Sequence, residues 1–99
     1  MSKFGDILKS NDLVLVDFFA TWCGPCKSLG PILKNVSNQL GGKVKIIKID
    51  VDKNQSIASK LSVRGVPTLI LYKNGEKVWR QSGVVPESDL INLINQYSN

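Results

Sequence analysis

The stretch Leu13-Val14-Leu15-Val16-Asp17-Phe18-Phe19-Ala20-Thr21-Trp22-Cys23-Gly24-Pro25-Cys26 decides the fold. Residues 13–20 are apolar at both parities apart from Asp17, the pattern of a strand buried on both faces of a parallel sheet. A change of period follows. Over 23–40, Leu29, Ile32, Leu33, Val36 and Leu40 recur at helical spacing, Pro25 suits the first turn, and Gly41-Gly42 stop the helix. Pro31 lies inside that pattern and predicts a kink. Residues 44–51 are rich in β-branched side chains and read as a second strand. Strand, helix and strand make one βαβ unit with a right-handed crossover.

The second half has a different rhythm. Residues 55–62 suit a short helix with Ile57, Ala58 and Leu61 inward. Residues 68–73 and 76–82 are strand candidates separated by Asn74-Gly75, a hairpin dipeptide, so they should run antiparallel. Pro86 opens a last helix with Glu87 and Asp89 in its positive first turn and Leu90, Ile91, Ile94 and Tyr97 facing the sheet. The expected architecture is α/β, one domain over residues 1–99, with a mixed sheet.

Composition narrows the chemistry. The 99 residues carry 13 basic and 8 acidic side chains, a net charge of +5, with two Cys and no His. Without His there is no imidazole base, metal ligand or pH switch. Two Cys alone cannot complete a four-ligand zinc site unless two chains pool ligands. The longest apolar run, residues 13–16, is far short of the ~20 residues a membrane helix needs. Residues 1–12 lack the apolar core of a secretory signal, which points to a cytoplasmic protein without a membrane association. The lysines are spread along the chain without interleaved aromatics, which argues against nucleic acid as a partner.

Cys23 and Cys26 fall where the buried strand gives way to the helix. Cys23 lies at or beside the N-cap, where free backbone N–H groups and the positive end of the helix stabilise a thiolate and make it nucleophilic. Cys26, one turn on, shares its helix face and can meet disulfide geometry. A purely structural staple is the alternative. Closing so short a loop removes only about 2 kcal/mol of unfolded-chain entropy, and a reducing compartment disfavours structural disulfides.

These residues resemble the thioredoxin family. The match runs through Leu15-Val16-Asp17-Phe18, Trp22-Cys23-Gly24-Pro25-Cys26-Lys27, Pro31, Arg64-Gly65-Val66-Pro67-Thr68-Leu69, Tyr72-Lys73-Asn74-Gly75-Glu76 and Gly83, in order and spacing over residues 4–97. The resemblance implies a thioredoxin fold and protein-disulfide reductase activity, with Cys23–Cys26 as the redox disulfide and no added cofactor or metal. It makes Cys23 the exposed nucleophile and Cys26 the resolving thiol beneath it. A flavin- and NADPH-dependent thioredoxin reductase would recycle the pair, and the partners would be disulfide-containing proteins met by a monomer.

Asp17 is a lone carboxylate in an apolar strand, where an unpaired charge is costly and burial raises the pKa. The resemblance places it below Cys26 as a proton acceptor and donor, with Lys48 nearby. A strand-end Asp that reaches water and a solvated Lys48 are the plainer readings. Trp22 is implied to pack beside the thiols and limit their contact with water. Pro67 matches the family's cis-proline, which would expose the Val66 backbone to a substrate strand. Gly24, Pro25, Val66, Pro67, Thr68 and Gly83 would form a flat apolar docking face. Phe19 stands where many thioredoxins have Trp. Trp79 and Arg80 match no functional position and read as packing and a solvated charge.

Two departures stand out. Thioredoxins usually begin with an extra strand, yet Phe4 already matches their first helix. A four-stranded sheet flanked by helices on both faces is therefore expected, ordered 44–51, 13–20, 68–73, 76–82. Lys43, Lys45 and Lys48 would protect its open edge. The charge of +5 is unusual, and steering toward acidic partner surfaces is its expected use. An oxidant or isomerase would carry a different pair between the cysteines, usually with His. A binding subunit with incidental cysteines would have no need of Cys23, Cys26, Asp17 and Pro67 together.

Overall fold

A computed structural model describes residues 3–98. The elements run α1 (Lys3–Ser10), β1 (Leu13–Phe19), α2 (Gly24–Leu40), a 3-10 turn (Gly41–Lys43), β2 (Lys45–Asp50), α3 (Gln55–Lys60), β3 (Thr68–Lys73), β4 (Glu76–Ser82) and α4 (Glu87–Tyr97). The sheet has four strands in the order β2-β1-β3-β4. β1 and β2 are parallel, and the other two pairs are antiparallel. This is the expected mixed sheet with β2 at its edge. Lys45 and Lys48 stand exposed on that edge, whereas Lys43 lies one step before it, in the 3-10 turn.

The two-residue period of β1 divides the core between the sheet's faces. Leu13 and Leu15 pack with Leu29, Leu33, Val36 and Leu40 of α2 and with Leu90 and Ile94 of α4. Val14, Val16 and Phe18 turn the other way, to Leu8 of α1, Ile70 and Tyr72 of β3, and partly buried Ile57 of α3. Each fully buried Leu, Ile or Phe contributes about 1.5–3 kcal/mol. Phe4 meets Tyr72 edge-to-face, ring centroids 6.0 Å apart, which fixes α1 on its face.

α2 runs unbroken through Pro31, which lies on its exposed side. Glu87, in the first turn of α4, accepts bonds from Asn35 Nδ2 at 2.9 Å and Gln39 Nε2 at 2.8 Å on α2. Its charge also suits the positive end of α4. The β3–β4 hairpin turns through Asn74 and Gly75, both at positive φ (52° and 85°), as a tight primed turn requires.

Candidate functional site

β1 ends at Phe19, and the chain folds over on a Cys23 N–H bond to the Ala20 carbonyl at 3.2 Å. Cys23 is the N-cap of α2, extended at φ −87° and ψ 114°. Its Sγ accepts the Cys26 N–H at 3.1 Å, satisfying one of the donors a helix start leaves open. The two sulfurs are joined in a disulfide, with Cα atoms 5.3 Å apart. Once the bond is reduced, the same N–H and the positive end of α2 favour a thiolate at Cys23.

Cys23 is not the exposed member of the pair. The two residues are 4% and 7% exposed, in a small cluster with Ala20, Phe19, Val51 and Val66. What distinguishes Cys23 is its place at the cap.

Trp22 immediately precedes Cys23 in the chain. The side chain is 70% exposed, and its indole Nε1 donates to Asp52 Oδ2 at 2.9 Å. Asp52 is itself fixed by a turn in which Asp50 Oδ1 accepts its backbone N–H at 2.9 Å. Neither aspartate stood out in the sequence, because the bond spans 30 residues and strand β2.

The facing wall is the segment before β3. The Val66–Pro67 bond is cis, as the resemblance implied. Thr68 Oγ1 donates to the Gly65 carbonyl at 2.6 Å and lies 3.1 Å from Ser82 Oγ, while the Gly83 N–H bonds the Pro67 carbonyl at 2.9 Å. Thr68 is wholly buried and Pro67 is buried too, so they support this wall from behind and are not part of a flat surface. Gly24 and Pro25 are exposed, Val66 and Gly83 are half-buried, and Val84, next to Gly83 in the chain, is an exposed apolar side chain.

Arg80 departs from its expected solvated state. It is half-buried and donates to the carbonyls of Leu61 at 2.6 Å and Ser62 at 2.8 Å. The guanidinium thereby satisfies acceptors at the C-terminal end of α3, where a cation also suits the helix. This pins the loop that leads to Val66. Trp79 packs on the core as expected.

Asp17 does not reach water. It is fully buried, neither oxygen has a hydrogen-bond partner, and its parity sets it on the face that α2 covers. Burial pushes its carboxyl up to about 6, and the positive charge of Lys48 pulls it partly back. Lys48 is paired with Asp17 in the strand register, but its ammonium sits over the Phe19 ring, 4.8 Å from the centroid. Cys23, Cys26, Asp17, Lys48, Trp22, Val66 and Pro67 therefore all belong to the end of the sheet where β1 and β2 finish and β3 begins. Among the described residues no cluster of three or more His, Cys, Asp or Glu could hold a metal.

Comparison with known proteins agrees with this geometry. A family model described as "Thioredoxin" matches residues 1–96. The chain is 44% identical over 97 residues to a thioredoxin of Haemophilus influenzae, covering 97% of this chain and 91% of that one. Its structure is similar to that of a mutant thioredoxin from Halobacterium salinarum, with a TM-score of 0.92 and 42% identity over 100% of this chain and 86% of the other. It is also similar to an oxidised thioredoxin from Plasmodium falciparum, with a TM-score of 0.85 and 38% identity, covering 100% and 93%.

Proposed function

Because the chain belongs to the thioredoxin family and is a thiol–disulfide oxidoreductase, we propose that it reduces protein disulfides through Cys23 and Cys26, with residues 1–99 acting as one monomeric domain. The observation that carries this is the Cys23 Sγ at the cap of α2, joined to Cys26 and bonded by its N–H. In the reduced state the Cys23 thiolate attacks one sulfur of a substrate disulfide, forms a mixed disulfide and releases the first substrate thiolate. Cys26, deprotonated, then attacks Cys23 Sγ, closes the internal disulfide and releases the second. Two electrons pass to the substrate, whose two thiolates then take up the proton carried by Asp17 and the one Cys23 had already lost to solvent, by way of water.

Asp17 takes the proton from Cys26 in this scheme. A buried carboxyl poised at about 6 is near the value a general base needs at neutral pH. Lys48 tunes Asp17 by its charge. Trp22, Gly24, Pro25, Val66 and Gly83 receive the extended substrate segment, with Pro67 and Thr68 holding the Val66 backbone in place. A flavin- and NADPH-dependent thioredoxin reductase regenerates the dithiol, and the setting is the cytoplasm. No helix among the described residues is long and apolar enough to cross a membrane.

The test is insulin reduction with dithiothreitol, repeated with a thioredoxin reductase and NADPH. The chain should accelerate precipitation in the first form and consume NADPH in the second. Cys23→Ser should abolish both, and Cys26→Ser should accumulate a mixed disulfide. Turnover retained by Cys23→Ser would overturn the assignment.

A further inference from the structure

The proposed disulfide exchange leaves most of the chain's 13 basic side chains without a role. At the opposite end an open groove of about 970 Å3 lies between the start of β1, the start of β2 and the end of β3. Lys43, Lys45 and Lys73 line it, with Asp12 as the one carboxylate among the lining residues. Asn74 and Asn95 add carboxamides that can donate to or accept from a peptide backbone. β1 runs from Leu13 at the groove to Phe19 near the disulfide, so at about 3.3 Å per residue the two sites are on the order of 20 Å apart.

A second feature meets this groove at Lys45. β2 is an edge strand, and among the described residues nothing pairs with its outer side. Lys45 belongs both to the groove lining and to that edge. Lysines on an edge repel a second copy of the same strand, but they attract a strand that carries carboxylates. The groove has no aromatic lining on which nucleic-acid bases would stack.

We propose that this groove and the adjoining edge of β2 form a docking site for an acidic, extended polypeptide segment of a partner protein. The segment adds its backbone to β2 and sets its carboxylates against Lys43 and Lys45. Docking confined to the groove and the first residues of β2, around Lys45, leaves the Cys23–Cys26 end uncovered, so a partner can be held at one end of the sheet while a disulfide is exchanged at the other. The site is independent of the redox reading, since it binds in the oxidised chain without any exchange of sulfur.

The test is amide-shift mapping by NMR on the isotope-labelled oxidised chain, titrated with a short peptide alternating Glu and Val. A control peptide has Gln in place of Glu, and a single-stranded oligonucleotide is titrated in parallel. Shifts should concentrate at residues 11–13, 41–48 and 73–74. Binding should weaken at least about fivefold in the double variant K43E/K45E, and again between about 0.01 M and about 0.15 M ionic strength. Should K43E/K45E fail to fold, K43Q/K45Q and the salt series give the same reading. Equal binding of the Gln peptide, shifts confined to residues 22–25, or tighter binding of the oligonucleotide would each overturn the proposal.

Discussion

Asp17 and Lys48 stand opposite each other in the parallel register of β1 and β2, yet the carboxyl is fully buried and the ammonium is exposed over the Phe19 ring. The two therefore couple through charge, without a hydrogen bond on the carboxylate. Its consequence for stability has a definite sign. The folded chain holds the Asp17 proton up to about pH 6, against 3.8 ordinarily, so between these values the native state binds more protons than the unfolded one. Stability falls as pH rises through that window, and above it the cost is complete, on the order of 3 kcal/mol. Asp17→Asn should remove this slope and raise stability at pH 7 by about 1–3 kcal/mol, while lengthening the life of the mixed disulfide. Denaturant melts from pH 4 to 8, with quenched-flow trapping of the intermediate, check both parts. A less stable variant with normal kinetics would contradict them.

Arg80 holds the carbonyls of Leu61 and Ser62 with one guanidinium. Arg80→Met keeps the stem and removes both charge-assisted bonds, which should cost about 2–4 kcal/mol. Arg80→Lys, a single ammonium without the fork, should recover only part of this. Hydrogen exchange should speed up over residues 61–66 first, which a urea melt alone would not resolve. Uniform loss of protection over the whole chain would argue against a local role.

The Trp22–Asp52 bond is exposed, so its worth is in geometry. Asp52→Ala should change global stability by less than about 1 kcal/mol and yet free the indole to change rotamer. Reduction of a protein disulfide should slow several-fold, about 3- to 10-fold, while reduction of a small disulfide is little altered. Stopped-flow rates on both substrates make the comparison, and equal slowing of the two would contradict a positioning role.

Glu87 joins α2 to α4 through Asn35 and Gln39 and sits in the first turn of its own helix. Glu87→Gln should keep part of the bonding but lose the charge on the helix end, costing about 0.5–1 kcal/mol; Glu87→Ala should cost about 1–2 kcal/mol. Thermal melts at low and high salt separate the two. Only the difference between Glu and Gln should shrink with salt.

The hairpin and its bounds could be read in advance, since Asn74-Gly75 is a local signal and both residues take the positive φ it requires. The two-parity apolar pattern of β1 marks a strand covered on both faces, but the strand order came only with the resemblance to the thioredoxin family. The contacts that escaped the reading are long-range. Arg80 looked solvated because its acceptors on Leu61 and Ser62 lie 19 and 18 residues away, and only the packing of α3 on the sheet brings them to it. The bond from Trp22 to Asp52 joins residues 30 apart on either side of β2, so no local signal pointed to it. The burial of Cys23 depends on Val51 and Val66, which the fold brings to the cap from two other segments.

The helix that carries the cysteines is also firmly anchored. Beyond its first turn α2 buries Leu29, Leu33, Val36 and Leu40, and Glu87 ties it to α4. Such a helix gives little when a sulfur is attacked. In the proposed reaction the adapting then falls to the substrate, whose disulfide has to lie on a segment loose enough to straighten and reach the cap.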